Sequence, residues 1–169
     1  MAAGNTYEAI ATNTISGSST NSVTFSSIPS TYTDLLVVFQ GTKISAGGQS
    51  LIFNLNGDTG SNYSFTYLGG NGSTASSGRV SNSTYAALGA WVANLSTTGE
   101  SDFLHLMNYS NTTTYKTTLA RSSAASSATE ASVALWRSTA AINSITLTVG
   151  SPAAFTAGST FSLYGIKAA

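Results

Sequence analysis

Asp58-Thr59-Gly60-Ser61 reads like the signature around the catalytic carboxylate of aspartic proteases. In that chemistry two aspartates meet across a dyad and share one proton, because like charges so close together cannot both ionise. This chain carries a single copy, so a protease would have to be a homodimer. The residues just before it, Asn56-Gly57, are a strong hairpin-turn signal, since both tolerate positive φ. The run is therefore read as a turn, with Asp58 in a solvated connection. Asn54, Asn56 and Asp58 have calcium-loop spacing, but the twelfth position is Phe65, where an EF-hand needs a bidentate Glu.

The other chemistry-bearing residues are sparse. His105 is the single histidine and cysteine is absent, so the ligand set of a zinc site cannot be assembled. A Ser-His-Asp triad would need His105 beside an activated serine, and no G-x-S-x-G elbow occurs. Alternation in "DFLHLMNY" makes His105 an outward strand residue. Glycosidases need two carboxyl groups facing one another across a cleft. The carboxylates here are Glu8, Asp34, Asp58, Glu100, Asp102 and Glu130, and Glu100-Ser101-Asp102 is the one close pair, placed in a turn entering a strand. The expectation is a protein that is not an enzyme and that needs no cofactor or metal.

Contact chemistry is better represented. Tyr63, Tyr67, Tyr85, Tyr109 and Tyr115 cluster mid-chain beside Asn and Ser, a combination that stacks on sugars or packs on partners, or simply rims a core. The stretch from Gly69 to Thr84 is read as the longest loop. With its flanks it offers Tyr63, Tyr67, Asn71 and Arg79 as a candidate glycan or partner contact.

Those side chains must be carried by strands. Short apolar-polar alternations such as "SVTFSSI" and "SITLTV" recur between Gly, Ser, Asn and Thr clusters. "DLLVVF" is a continuous apolar run that suits a strand buried on both faces. No segment keeps a helical period; strands are expected at Thr114–Ala120 and Ala131–Arg137, and the Ala- and Ser-rich stretch around "ARSSAASSATEASVALW" is read as a loop. About eleven short strands imply an all-β fold, an antiparallel β-sandwich of jelly-roll type. Trp91, Trp136, Phe25, Phe39, Phe53, Phe103 and Phe161 are expected to anchor its core, and "STFSLYGIK" is expected as a central strand with Phe161, Leu163 and Tyr164 among the anchors. Residues 1–6 read as an N-terminal arm and 7–169 as one domain, with Ala2, Ala3, Gly4, Asn5 and Thr6 as candidate contacts to a larger assembly.

Composition narrows the partners. Charged residues are 7% of 169 and the net charge is zero. No basic face exists to neutralise phosphates, so nucleic acid is not expected. No apolar run is long enough to span a membrane, and no signal peptide is visible. Ser and Thr make up about a third of the chain, well above ordinary usage. Such a hydroxyl-rich, charge-poor surface suits dense packing beside copies of itself.

Several stretches together resemble one family. They are "YEAIATNTISGSSTNSVTFSSIPSTYTDLLVVF", "FNLNGDTGSNYSFTYLGGNGSTASSG", "NYSNTTTYKTTLAR", "LWRSTAAINSITLTV" and "AGSTFSLYGIKAA". In wording and order, across nearly the whole chain, these are similar to small virion proteins of tailed phages, above all marine and cyanobacterial ones. The resemblance implies a β-rich structural protein of the virion, assembled in the host cytoplasm, without enzymatic activity. It implies a homo-oligomer, often a trimer, that contacts the major capsid protein or other virion proteins. Capsid decoration is the expected station, because no shaft-like repeat and no preceding attachment domain are seen. The alternative is a receptor- or glycan-binding module of a tail fibre or spike.

Overall fold

The computed structural model describes residues 6–42, 44–46, 48–88, 97–124, 127–150 and 152–167. Among these, twelve strands form: β1 (Tyr7–Thr14), β2 (Ser22–Phe25), β3 (Asp34–Thr42), β4 (Leu51–Leu55), β5 (Tyr63–Gly70), β6 (Ala75–Ser83), β7 (Ala86–Ala87), β8 (Glu100–Leu106), β9 (Lys116–Ala124), β10 (Ala128–Trp136), β11 (Ile145–Val149) and β12 (Thr160–Ile166). They pair in two sheets, an eight-stranded one ordered β1-β12-β3-β8-β9-β10-β5-β6 and a four-stranded one ordered β2-β11-β4-β7. Every pairing is antiparallel. The protein is an all-β, two-sheet fold of sandwich type.

Period-two sequence explains the core. Strand β4 buries Leu51, Phe53 and Leu55, and β11 buries Ile145, Leu147 and Val149. The large sheet answers with Leu35, Val37 and Phe39 from β3, Leu104 and Leu106 from β8, and Phe161 and Leu163 from β12. Phe161 meets Phe39 and Phe155 edge-on, with ring centroids 5.7 and 4.9 Å apart, the arrangement that ring quadrupoles favour.

Several expectations are corrected. "DLLVVF" is not buried on both faces: it alternates buried Leu35, Val37 and Phe39 with half-buried Leu36 and Val38. Phe103 is no core anchor; it points out of β8 and is 44% exposed. The C-terminal strand β12 is paired on both sides but stands second from the sheet edge, with Phe161 and Leu163 buried and Tyr164 only half so. The Gly69–Thr84 loop is a hairpin, because Asn71-Gly72 turns the chain and Ala75–Ser83 returns along β5. The Ala/Ser-rich stretch is likewise a hairpin, β9 with β10. Its inner face sets Thr118, Ala120, Ser122, Ser132 and Ala134 among buried Lys116, Glu130 and Trp136, and the strands run further into the Ser-rich stretch than its composition suggests. Trp91 lies outside the described residues.

Candidate functional site

The DTGS turn joins the two sheets, carrying the chain from β4 to β5. Asn56 and Gly57 take φ of 53° and 68°, the left-handed values that Asn and Gly reach most readily. Asn56 is fixed by its own side chain, whose Oδ1 accepts the N–H groups of Asn143 and Ser144 at 2.8 and 3.1 Å. Asp58 is not the solvated turn residue expected. Its carboxylate accepts Trp136 Nε1–H at 2.7 Å, Asn62 Nδ2 at 2.9 Å and Gly60 N–H at 2.8 Å. Burial pushes its pKa up, but the hydrogen bonds from Trp136, Asn62 and Gly60 together outweigh that and leave it lowered. The aspartate is a structural anion that holds a turn.

Tyr63 belongs to the same knot and is corrected as a surface contact. It is 0% exposed. Its ring stacks on Trp136 at a centroid distance of 6.4 Å. Its hydroxyl accepts Leu55 N–H at 3.0 Å and donates to the Asp58 carbonyl at 3.1 Å. Tyr67 also faces inward, partly buried against the core. Its ring crosses Gly78 so closely that a Cβ there would lie 2.5 Å from Tyr67 Oη. Asn71 caps the β5–β6 turn by accepting the N–H groups of Ser73 and Thr74 at 3.0 and 2.8 Å. It also lines an open depression of about 310 Å³ with Gly70, Gly72, Ser123 and Thr129. Arg79 is exposed on the edge strand β6. The four candidates are therefore not brought together. Of the N-terminal candidates, Ala2, Ala3, Gly4 and Asn5 lie outside the described residues. Thr6 is tied down, its carbonyl accepting Lys167 N–H at 3.0 Å.

Other polar residues resolve into structural pairs. His105 Nε2 sits 3.0 Å from Asp34 Oδ2, and Asp34 Oδ1 accepts Asn108 N–H. Lys116 is buried and donates to the carbonyls of Thr114 and Thr139 at 2.9 and 3.3 Å; burial lowers its pKa. Glu100 and Asp102 are not in a turn. They open β8 and point inward, where Asp102, Ser122 and Glu130 form one buried row across three strands. Burial pushes Asp102 up to about 7; Glu100's charge adds to this, while Ser123 N–H and the Ser122 hydroxyl oppose it. Among the described residues, no group of three or more His, Asp or Glu side chains could hold a metal ion.

What the sequence reading missed is a surface. On β9 and β10 the polarity is inverted. Ala120, Ser122, Glu130 and Ser132 face inward, while Leu119 and Val133 face out at 45% and 40% exposure. Leu119 pairs with Val133 across β9–β10 and with His105 across β9–β8. In the next row Phe103, Arg121, Ala131 and Leu68 follow one another across β8, β9, β10 and β5, and Leu68 is 65% exposed. The signal was in the sequence: in "LARSSA" and "SVAL" the large apolar residues alternate with Ala and Ser, and there the small ones are the buried set.

No family model, no curated protein and no solved structure matches the chain.

Proposed function

We propose that this protein is a structural module of a tailed-phage virion, a capsid decoration protein that binds the outer shell of the head and works as a homo-oligomer, on the sequence resemblance a trimer. The observation that carries this reading is the outward face of the eight-stranded sheet, apolar at Phe103, Leu119, Val133 and Leu68 and built to be covered. A catalytic cleft is not needed for such a role. The residues with chemical potential, Asp58, His105 and Lys116, are committed to internal bonds.

A jelly-roll topology belongs to the same proposal. In a jelly roll a long antiparallel double strand is rolled so that nested partners fall alternately into two sheets. Four nested pairs support it here: β1 with β12 and β3 with β8 in the large sheet, β2 with β11 and β4 with β7 in the small one. The β5–β6 and β9–β10 hairpins are then insertions that widen one sheet from four strands to eight.

Counting copies in purified virions by quantitative mass spectrometry tests the role. Copies in the hundreds mean a head lattice, a handful mean a tail, and none overturns the reading. A second reading, a glycan-binding tail module, is favoured by the depression beside Asn71. It requires glycan-array binding that Asn71→Ala abolishes.

A further inference from the structure

We infer that a second copy of this chain packs against the outward face of the eight-stranded sheet, centred on Leu119 and Val133. The inference rests on the reading of the protein as a self-assembling virion module and gives that assembly its contact surface.

The face is unusual because exposed apolar residues stand on strands whose inner sides already supply Tyr63, Phe65, Leu104 and Trp136 to the core. The hairpins β5–β6 and β9–β10 carry Leu68, Leu119 and Val133 on this face, and β8 beside them carries Phe103, all exposed. A surface strand that served only to close the core would bury such residues and expose its Ser and Ala. Here Ser122 and Ser132 are buried and the leucines are out. Single exposed apolar residues are ordinary; a contiguous cluster in adjacent strands is the mark of a contact site.

Area and polarity fit an interface between folded proteins. Eight strands about 4.8 Å apart, each about seven residues of 3.3 Å, present roughly 900 Å², close to the ~800 Å² per partner of a stable complex. The centre is apolar. Toward the β1 end the same face continues as Thr12, Thr14, Thr160 and Ser162, a hydroxyl rim around a dry middle.

Charge points to a second copy as the occupant. Asp34 is already satisfied by His105 and Asn108. Arg121, in register with Phe103, is the cation nearest the apolar centre. A second copy carries exposed rings of its own, such as Tyr7 and Tyr115, for that cation to meet. The chain as a whole is neutral, so copies meet without net repulsion.

The test is the native mass of the full chain by light scattering, with Leu119→Lys/Val133→Lys as the disrupting variant and Thr24→Lys, exposed on the other sheet, as control. The wild type and control should show one whole multiple of 17.2 kDa, and the double variant a single chain with an unchanged circular dichroism spectrum. Leu119→Thr, which places a β-branched residue of high strand propensity there, should raise the dissociation constant at least tenfold without unfolding the protein. A wild type that is monomeric, or variants that stay assembled, overturns the inference. If the protein is monomeric yet bound to virions, and the double variant fails to bind, the face belongs to the shell: the pairing is wrong and the virion role stands. If it assembles as expected but is missing from virions, the virion role fails and the pairing stands.

Discussion

Trp136 Nε1 lies 2.7 Å from Asp58 Oδ2, and this bond fastens the turn between the two sheets to the end of β10. The indole is buried and a donor only, so without the carboxylate its N–H has no replacement on the turn. Removing one partner of a charged hydrogen bond costs more than the bond's net worth, because the other is left desolvated. Asp58→Ala should lower unfolding stability by about 2–4 kcal/mol, read from urea midpoints at constant slope. Asp58→Asn keeps one acceptor for the indole and should lose less. Equal losses for the two variants would mean that charge, not acceptance, is what the turn requires.

Two carboxylates should give this protein opposite pH dependences. Asp102 is pushed up to about 7 from an ordinary 3.8, by burial first. Between those values the folded protein holds a proton that the unfolded chain has released, so stability falls as pH rises through this window. At about 1.4 kcal/mol per pKa unit, the loss approaches ~4 kcal/mol once Asp102 is fully ionised. Asp58 has the reverse sign: its lowered pKa contributes stability above 3.8 that disappears as pH falls through the folded value. Urea unfolding at about pH 5 and about pH 8 separates them. The wild type should be less stable at the higher pH. Asp102→Asn, which still accepts Ser123 N–H, should flatten that difference. A wild type equally stable at both would show that Asp102 does not titrate between them.

Tyr67 and Gly78 should prove to be one structural unit rather than half of a glycan site. A methyl group at Gly78 would strike the Tyr67 ring, 2.5 Å from Oη and 2.7 Å from Cζ. Overpacking of this kind costs about 1–3 kcal/mol. Gly78→Ala should show that cost in the wild type and almost none in a Tyr67→Ala background, which a double-mutant cycle measures. Additive effects would separate the two residues.

Much of this fold can be read from local pattern, and the misreadings share a cause. Strands β2, β4 and β11 alternate large apolar with polar residues, and they lie where the alternation puts them. Asn56-Gly57 announces its turn because the signal needs only the backbone. In the β9–β10 hairpin the strands expected at Thr114–Ala120 and Ala131–Arg137 are present, and what the Ser-rich stretch between them concealed is how far each strand extends. Tyr63 was misplaced for a related reason. A tyrosine beside Asn and Ser reads as surface, and only the tertiary position of Leu55 N–H and the Asp58 carbonyl gives its hydroxyl buried partners. The two-residue period puts Leu119 and Ser122 on opposite sides of β9, but only the tertiary fold says that the side of Ser122 is the covered one.

On the proposed virion role, attachment to particles should survive high salt. The chain has six basic and six acidic residues, and several are already committed within it. Glu8 pairs with Lys167, Asp34 with His105, and Arg137 spreads its guanidinium over Ser64, Ser61 and Asn82. Exposed ion pairs that remained for a partner would add about 0–1 kcal/mol each. Apolar contact does not depend on such pairs, and salts excluded from protein surfaces strengthen it. Washing virions in about 1 M sodium chloride, where the screening length falls to roughly 3 Å, should therefore leave the protein on the particles. Sulfate at matched ionic strength should retain it at least as well. If sodium chloride strips it and sulfate strips it equally, the contact with the particle is electrostatic.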